Sequence, residues 1–308
     1  MKVVAVAGGT GAAKLVRGFH RLGAHAHLTV VVNTGDDTEV WGLHISPDLD
    51  TICYALAGVI DEGRGWGVGK ESFRTRDAMA RFGEPTWFNL GDQDLATHLH
   101  RTRLLREGRT LSEATRSVAR GLGVQADVLP MSDEPVRTRV HGPGGWLAFQ
   151  EYFVRERAQV AVDRVEYAGS NRARPAPGVA AAIAEADLVA VCPSNPITSI
   201  GPILAVPGIA EALGATSAAV VAVSPIVGAE AVSGPADRLM AACGHPVSAT
   251  GVAALYASWL DALVFEESDA AQAAAIRALG VAPVPARTLM RAREDEIALA
   301  RSVLGAGR

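Results

Sequence analysis

Cysteine is scarce and unpatterned: Cys53, Cys192 and Cys243 are the only three in 308 residues, and none stands in a C-x-x-C pair. That argues against a disulfide framework and a thiolate zinc site, and the three thiols are expected to be reduced, buried and inert. Basic runs are lacking as well. With a net charge of −4 and Lys and Arg scattered along its length, the chain has no electrostatic footprint for nucleic acid and no membrane-surface patch. Long apolar runs are absent: Val3–Ala7 is followed by Gly8, Gly9, Gly11 and Lys14, too short for a signal peptide's core or a membrane span. No repeat of fixed period stands out, which argues against a repeat array. The expectation is a cytoplasmic enzyme or binding protein.

Half the residues are apolar and a fifth charged, enough for one large domain spanning 1–308. Val3–Ala7 reads as a strand buried on both faces of a parallel sheet. Leu15, Phe19 and Leu22 follow at helical spacing with Gly23 as a stop, and Leu28–Asn33 reads as a second buried strand. The rhythm returns at Leu188–Cys192, with a turn at Pro193–Ser199, a helix over 201–213 and a strand at Ala219–Val223. Strand, turn, helix, strand, twice over, predicts a Rossmann-like α/β fold, a mostly parallel sheet with helices on both faces. An insertion over roughly 60–175 is expected to hold helical chain over 95–122 and a β-hairpin at 136–154 with its turn at His141–Gly145. Residues 252–263 and 271–279 read as helices, and Arg172–Pro177 as the best linker candidate.

Four segments carry candidate chemistry. Gly8-Gly9-Thr10-Gly11-Ala12-Ala13-Lys14 lies between strand and helix, where missing Cβ atoms and a helix start favour a phosphate, with Lys14 as a point charge. It is neither a P-loop nor a full G-x-G-x-x-G turn, and a tight turn without ligand remains the alternative. Asn33 and the aspartates Asp36, Asp37, Asp48 and Asp50 crowd one short connection. Such crowding is costly unless a cation or donors compensate it, and oxygen-only ligands suit Mg²⁺; a solvated loop of capping aspartates is the alternative. Trp87–His98 sets aromatics beside polar groups as a planar ring and its polar edge would require, with Phe88, Asp92, Gln93 and His98 as candidate contacts. A lone His98 also fits a core hydrogen-bonder, and His100, two residues on, points elsewhere. In the turn Pro193–Pro202, Ser194, Asn195, Thr198 and Ser199 could hold a nucleotide's phosphates or sugar, or simply cap the helix that follows. His25-x-His27 and Arg291–Glu296 read as solvated faces.

Eight segments in order resemble the 2-phospho-L-lactate transferase family: Gly8–Lys14, Asn33–Asp37, Ser46–Thr51, Leu90–His98, Leu129–Asp133, Phe149–Phe153, Pro193–Pro202 and Val223–Gly228. The likeness runs from Val3 to about Asp261 and more loosely beyond. It implies a Rossmann-like fold, a Mg²⁺ requirement, a homodimer and a donor made of GDP joined to a three-carbon acid, 2-phospholactate or phosphoenolpyruvate. It further implies an acceptor, 7,8-didemethyl-8-hydroxy-5-deazariboflavin (Fo), whose ribityl hydroxyl attacks with release of GMP, in making coenzyme F(420). By position, Asp50 would touch the acceptor or its metal, with the Gly-Asp-x-Asp segment at 91–94 beside it. Relatives commonly carry Arg or Lys where this chain has Gln93. Asp50 and Asp37 are both candidates for proton acceptor, and base and metal ligand are not separated. Two other readings stand beside this one: an NAD(P)-dependent oxidoreductase, and a non-catalytic nucleotide-sensing regulator of gluconeogenesis and cell shape.

Overall fold

The computed structural model of the protein describes residues 1–23 and 27–307; His25 of the His25-x-His27 pair lies outside them. Seven strands make one parallel sheet: β1 (Val3–Ala7), β2 (Leu28–Val32), β3 (Asp127–Pro130), β4 (Leu188–Val191), β5 (Ala219–Val223), β6 (Ala262–Glu266) and β7 (Ala282–Ala286). Their spatial order is β7-β6-β5-β4-β1-β2-β3, so the winding reverses between β1 and β4. At such a switch point the connections leave in opposite directions and a crevice opens at the carboxyl ends of the strands. Here β1 pairs with β2 from Val3↔Leu28 to Ala7↔Val32 and with β4 from Val3↔Leu188 to Val6↔Val191. The ends of β1, β2 and β4 are therefore level.

The sheet is apolar on both faces because helices cover both. Val3, Ala5 and Ala7 pack with Leu15 and Phe19 of α1 (Gly9–Arg21), Leu49 and Ile52 of α2 (Pro47–Ala57), and Leu299 and Val303 of the helix Arg293–Ala306. Val4 and Val6 face the other way, onto Ile183, Ile209, Leu213 and Val252. Helix α1 lies directly on Arg293–Ala306: a Cβ at Gly18 would stand 2.2 Å from the Glu296 carbonyl oxygen. Arg21 donates to the Glu296 carboxylate at 2.9 Å, and Arg17 joins the same group.

The excursion expected over 60–175 is two excursions, because Asp127–Pro130 returns to the sheet and pairs with β2. The first carries the hairpin Thr38–Val40/Leu43–Ile45, then α2, α3 (Arg74–Arg81), α4 (Asp94–Arg106) and α5 (Leu111–Gly121). Between α4 and α5, Gly108 at φ 82° and a capping box of Thr110 with Glu113 break the helical run expected over 95–122. The second is a three-stranded antiparallel ribbon in the order Gly145–Ala148, Arg137–Gly142, Arg164–Ala168.

Other expectations are corrected in detail. The extended chain read over 146–154 ends at Ala148, and Glu151–Arg155 winds into a π-turn. The helix read over 252–263 stops at Tyr256, and its last two residues open β6: a short apolar run bounded by turns does not distinguish helix from buried strand. The helix over 201–213 is two, Gly201–Leu204 and Ile209–Ala215, parted at Gly208 with φ 98°. Arg172–Pro177 is no linker: Ala173 and Ala176 are buried, and Ala176 N–H donates to Met131 O at 3.1 Å.

Candidate active site

A cavity of about 560 Å³ opens where β1, β4 and β5 end. Its floor is built from the two strand-to-helix turns. After β1 the chain passes through Gly8, extended at φ −160°, and Gly9 at φ 73° into α1. A Cβ on Gly8 would meet Ser199 Cβ at 2.7 Å, and one on Gly11 would meet the Pro193 carbonyl at 2.5 Å. These two glycines let the first turn lie against the second. Gly8 N–H donates to Ser194 Oγ at 3.2 Å and Gly9 N–H to Asp48 Oδ1 at 2.8 Å. The amides of Thr10 and Gly11 stand ahead of the first i→i−4 bond of α1, where a helix start accepts an anion. Lys14 lines the cavity too, its Nζ 3.0 Å from the Met290 carbonyl, a partner that leaves the charge uncancelled.

At the second turn the two readings, phosphate contact and helix cap, fall to different residues. Asn195 Oδ1 accepts from the amides of Ile197 at 3.0 Å and Thr198 at 3.3 Å, and the Asn195 carbonyl accepts from Ser199 and Ile200 at 3.0 Å each. Asn195 thus caps its own helix and uses up the amides a phosphate would need. What this turn offers the cavity is side chains, those of Ser194, Thr198 and Ser199.

The acidic segment divides. Asp36 and Asp48 line the cavity and are buried. Burial pushes the Asp48 carboxyl up to about 6, against the hydrogen bonds from Asn33 and Gly9, and the charge of Asp37 pushes the same way. Burial, with Asp48's charge behind it, raises Asp36 well above the usual carboxylate range, and its Oδ1 has no hydrogen-bond partner among the described residues. Asn33 lies beneath the cavity wall rather than on it: its Nδ2 donates to Asp48 Oδ2 at 2.9 Å and its Oδ1 accepts from Gly35 N–H at 2.8 Å. Asp37 is also off the lining, with Oδ2 3.0 Å from both His44 Nε2 and Ser46 Oγ, and Oδ1 buried without a partner.

Asp50 lines the cavity but is already matched. The buried Arg101 guanidinium grips both of its oxygens, NH1 at 3.1 Å from Oδ2 and NH2 on Oδ1. His98 Nδ1 lies 3.6 Å from the same carboxylate, and His98 Nε2 is 3.2 Å from Asp94 Oδ1, off the line of a good hydrogen bond. Tyr54, one turn after Asp50 on α2, donates to Asp94 Oδ1 at 2.6 Å. Burial works against charge on Asp94, but His98 and the Tyr54 hydroxyl outweigh it and hold the carboxyl below its ordinary value. Burial likewise opposes charge on Arg101, and the Asp50 carboxylate overcomes it, keeping the guanidinium protonated.

Of the expected acceptor contacts, Asp50, Phe88 and His98 reach the cavity; Asp92 and Gln93 do not. Asp92 turns outward to accept from the Ser72 hydroxyl and the amides of Arg74 at 3.1 Å and Thr75 at 2.9 Å, capping α3. Those donors, Ser72 first, hold its carboxyl far below the usual range. Gln93 is exposed. Residue 94, not 92, brings the carboxylate of that segment inward. Sequence reasoning took Asp94 only as part of the segment at 91–94 and passed over Tyr54 and Arg101, yet 94, 98 and 101 share one helical face at i, i+4 and i+7. It also passed over Trp66, Phe149 and Phe153, which with Phe88 make the aromatic part of the lining.

No group of three or more His, Cys, Asp or Glu side chains among the described residues is arranged to ligate a metal ion. A Mg²⁺ ion asks for less, one or two carboxylates plus substrate phosphate and water. Two buried carboxylates with no cationic side chain beside them among the described residues, one with an unpartnered oxygen, fit that requirement. No single helix among the described residues is long and apolar enough to cross a membrane.

Sheet order, switch-point cavity and acid-lined helix start together define a Rossmann-like α/β protein built to take a small-molecule ligand. Comparison with known proteins narrows this. The family described as 2-phospho-L-lactate transferase CofD matches residues 3–292, and the chain belongs to that family, transferases of coenzyme F(420) biosynthesis. It is 43% identical over 303 residues to the 2-phospho-L-lactate transferase of Methanosarcina acetivorans, covering 98% of each chain. It is also 43% identical over 287 residues to the phosphoenolpyruvate transferase of Streptomyces coelicolor, covering 91% of this chain and 90% of that one. A crystal structure of a UPF0052 family protein from Bacillus halodurans superposes with a TM-score of 0.66 over 98% of each chain; at 19% identity it speaks to the fold alone.

Proposed function

We propose that the protein moves a 2-phospho-L-lactate or phosphoenolpyruvate moiety from its GDP-activated donor to the terminal ribityl hydroxyl of Fo in the cytoplasm, with Mg²⁺ as cofactor and GMP as leaving group. A new P–O bond forms between the ribityl oxygen and the phosphorus that bears the acid. The P–O bond to the guanylyl phosphate breaks, and GMP leaves with its electron pair. Family membership supports transfer of this kind, and the cavity lining holds both polar and aromatic side chains to match two unlike substrates. The donor's phosphates belong at the Thr10 and Gly11 amides and Lys14, with the hydroxyls of Thr198 and Ser199 for its polar edge. Fo belongs between Phe88, Phe149, Phe153 and Trp66, whose faces suit a planar ring.

The observation that carries the reading is the pair of buried, unneutralised carboxylates beside the α1 start. Asp36 and Asp48 would hold the cation, whose charge, once bound, offsets that of the diphosphate. Asp50, whose charge is already met by Arg101, is left to orient the attacking hydroxyl and to take its proton as the bond forms. Most of the catalysis is then positioning and electrostatics. Mass spectrometry after incubation with Fo, Mg²⁺ and each guanylyl donor in turn is the test. A product heavier than Fo by one phosphoacid unit, with GMP released and only when Mg²⁺ is present, is expected; absence of that product with every donor refutes the proposal.

A further inference from the structure

Arg101 does not touch the cavity, yet it is among the largest fully buried side chains of the molecule. It grips both oxygens of Asp50, and its NH1 also lies 3.4 Å from the His44 carbonyl. The partner on α2, Asp50, is a cavity residue; so are Tyr54, Asp94 and His98, the other members of the same buried set. Stability alone gives no reason to build this. Taking a carboxylate and a guanidinium out of water is costly, and apolar replacements of similar volume are often neutral or stabilising. What a fork on a carboxylate does supply is direction: two parallel N–H···O bonds fix the plane of the acid as well as its charge.

We propose that Arg101 is a positioning residue: its guanidinium fork fixes the Asp50 carboxylate in one orientation at the cavity wall and takes up its charge, so that Asp50 meets the acceptor hydroxyl and not the cation. The inference rests on the proposed function and adds to it a division of labour. The cation answers to Asp36 and Asp48, and the acceptor hydroxyl to Asp50 held by Arg101. Helix α4, which lies outside the seven-stranded sheet, thereby sets the geometry of a group on α2.

The test is Arg101→Lys, which keeps the charge and loses the fork, alongside Asp50→Asn/Arg101→Gln, which replaces the ion pair by two amides. Wild-type enzyme is assayed first, since a lack of transfer there refutes the proposed function and not this inference. For Arg101→Lys the expected kcat is lower by on the order of tenfold or more, with the KM for the guanylyl donor and the affinity for Mn²⁺ or Mg²⁺ by calorimetry unchanged. The double variant is expected to melt near wild type and to stay as slow. Wild-type kcat in Arg101→Lys, its failure to fold, weakened metal binding in it, or recovery of kcat by the double variant would each overturn the assignment.

Discussion

The two carboxylate pairs of the cavity, Asp36 with Asp48 and Asp50 with Asp94, are made of the same side chain at similar depth and behave oppositely. The first pair faces Asn33, the Gly9 amide and each other; burial wins, and both carboxyls are pushed up. The second faces Arg101, His98 and the Tyr54 hydroxyl, and Asp94 is held down. The first pair has no positive charge supplied by the described residues around it. The other has had it supplied from within, so residue type and crowding along the sequence do not tell which aspartate meets a cation.

The sharpest way to break this contrast is Asp36→Asn. Its Oδ1 has no partner to lose, and the substitution removes a charge that burial already disfavours. Turnover is expected to fall by on the order of 10²- to 10³-fold with Mg²⁺ binding lost in calorimetry, while the melting temperature in metal-free buffer holds or rises. A variant that binds Mg²⁺ as the parent does would move the cation site to the other pair.

A smaller effect separates the glycines of the first turn. Gly11→Ala puts a Cβ 2.5 Å from the Pro193 carbonyl, a backbone atom that gives only if the second turn moves, and should cost about 1–3 kcal/mol in denaturant melts. Gly9→Ala meets nothing within 4 Å, but its φ of 73° is left-handed, and about 1 kcal/mol is expected. Equal losses would mean that the contact between the turns is looser than the distances imply.

Three strands buried on both faces were legible in the sequence: Val3–Ala7, Leu188–Val191 and Ala219–Val223 are uninterrupted apolar runs and fall within a residue of their readings, whereas Ala262–Glu266, equally buried, was hidden behind a helical reading. Outer strands were not. Asp127–Pro130 and Ala282–Ala286 carry prolines and a charge, which edge positions tolerate and which hide the strand pattern. For the cavity, local motifs located the glycine turn and the acidic loop because their chemistry is contiguous in the chain. The compensation of Asp50 was illegible: it depends on Arg101, 51 residues away, and only the fold brings that side chain in. Asn195 shows the reverse case, a polar residue at a helix start whose local capping role prevailed over ligand binding by its turn's amides.

Asp92 and Asp94 give a milder test. Asp92→Ala removes the cap of α3 and should lower the melting temperature by a few degrees, leaving kcat and both KM values within about twofold of the parent. Loss of turnover there would put the acceptor contact back at residue 92.

Gln93→Arg is the smallest effect expected, and the most specific to this chain, since the family resemblance marks Arg or Lys as common at that position. The side chain is exposed, off the cavity lining, and its one polar contact is Nε2 at 3.4 Å from the Lys70 carbonyl. A charge placed there stands in solvent, where interactions are weak and screened by salt over roughly 8–10 Å. The KM for the acceptor should therefore stay within about twofold at 0.15 M salt and drift, at most, when salt is lowered. A large fall in that KM at physiological salt would show that residue 93 swings inward when the acceptor binds, and that the cavity closes around its ligand with a side chain that now points away.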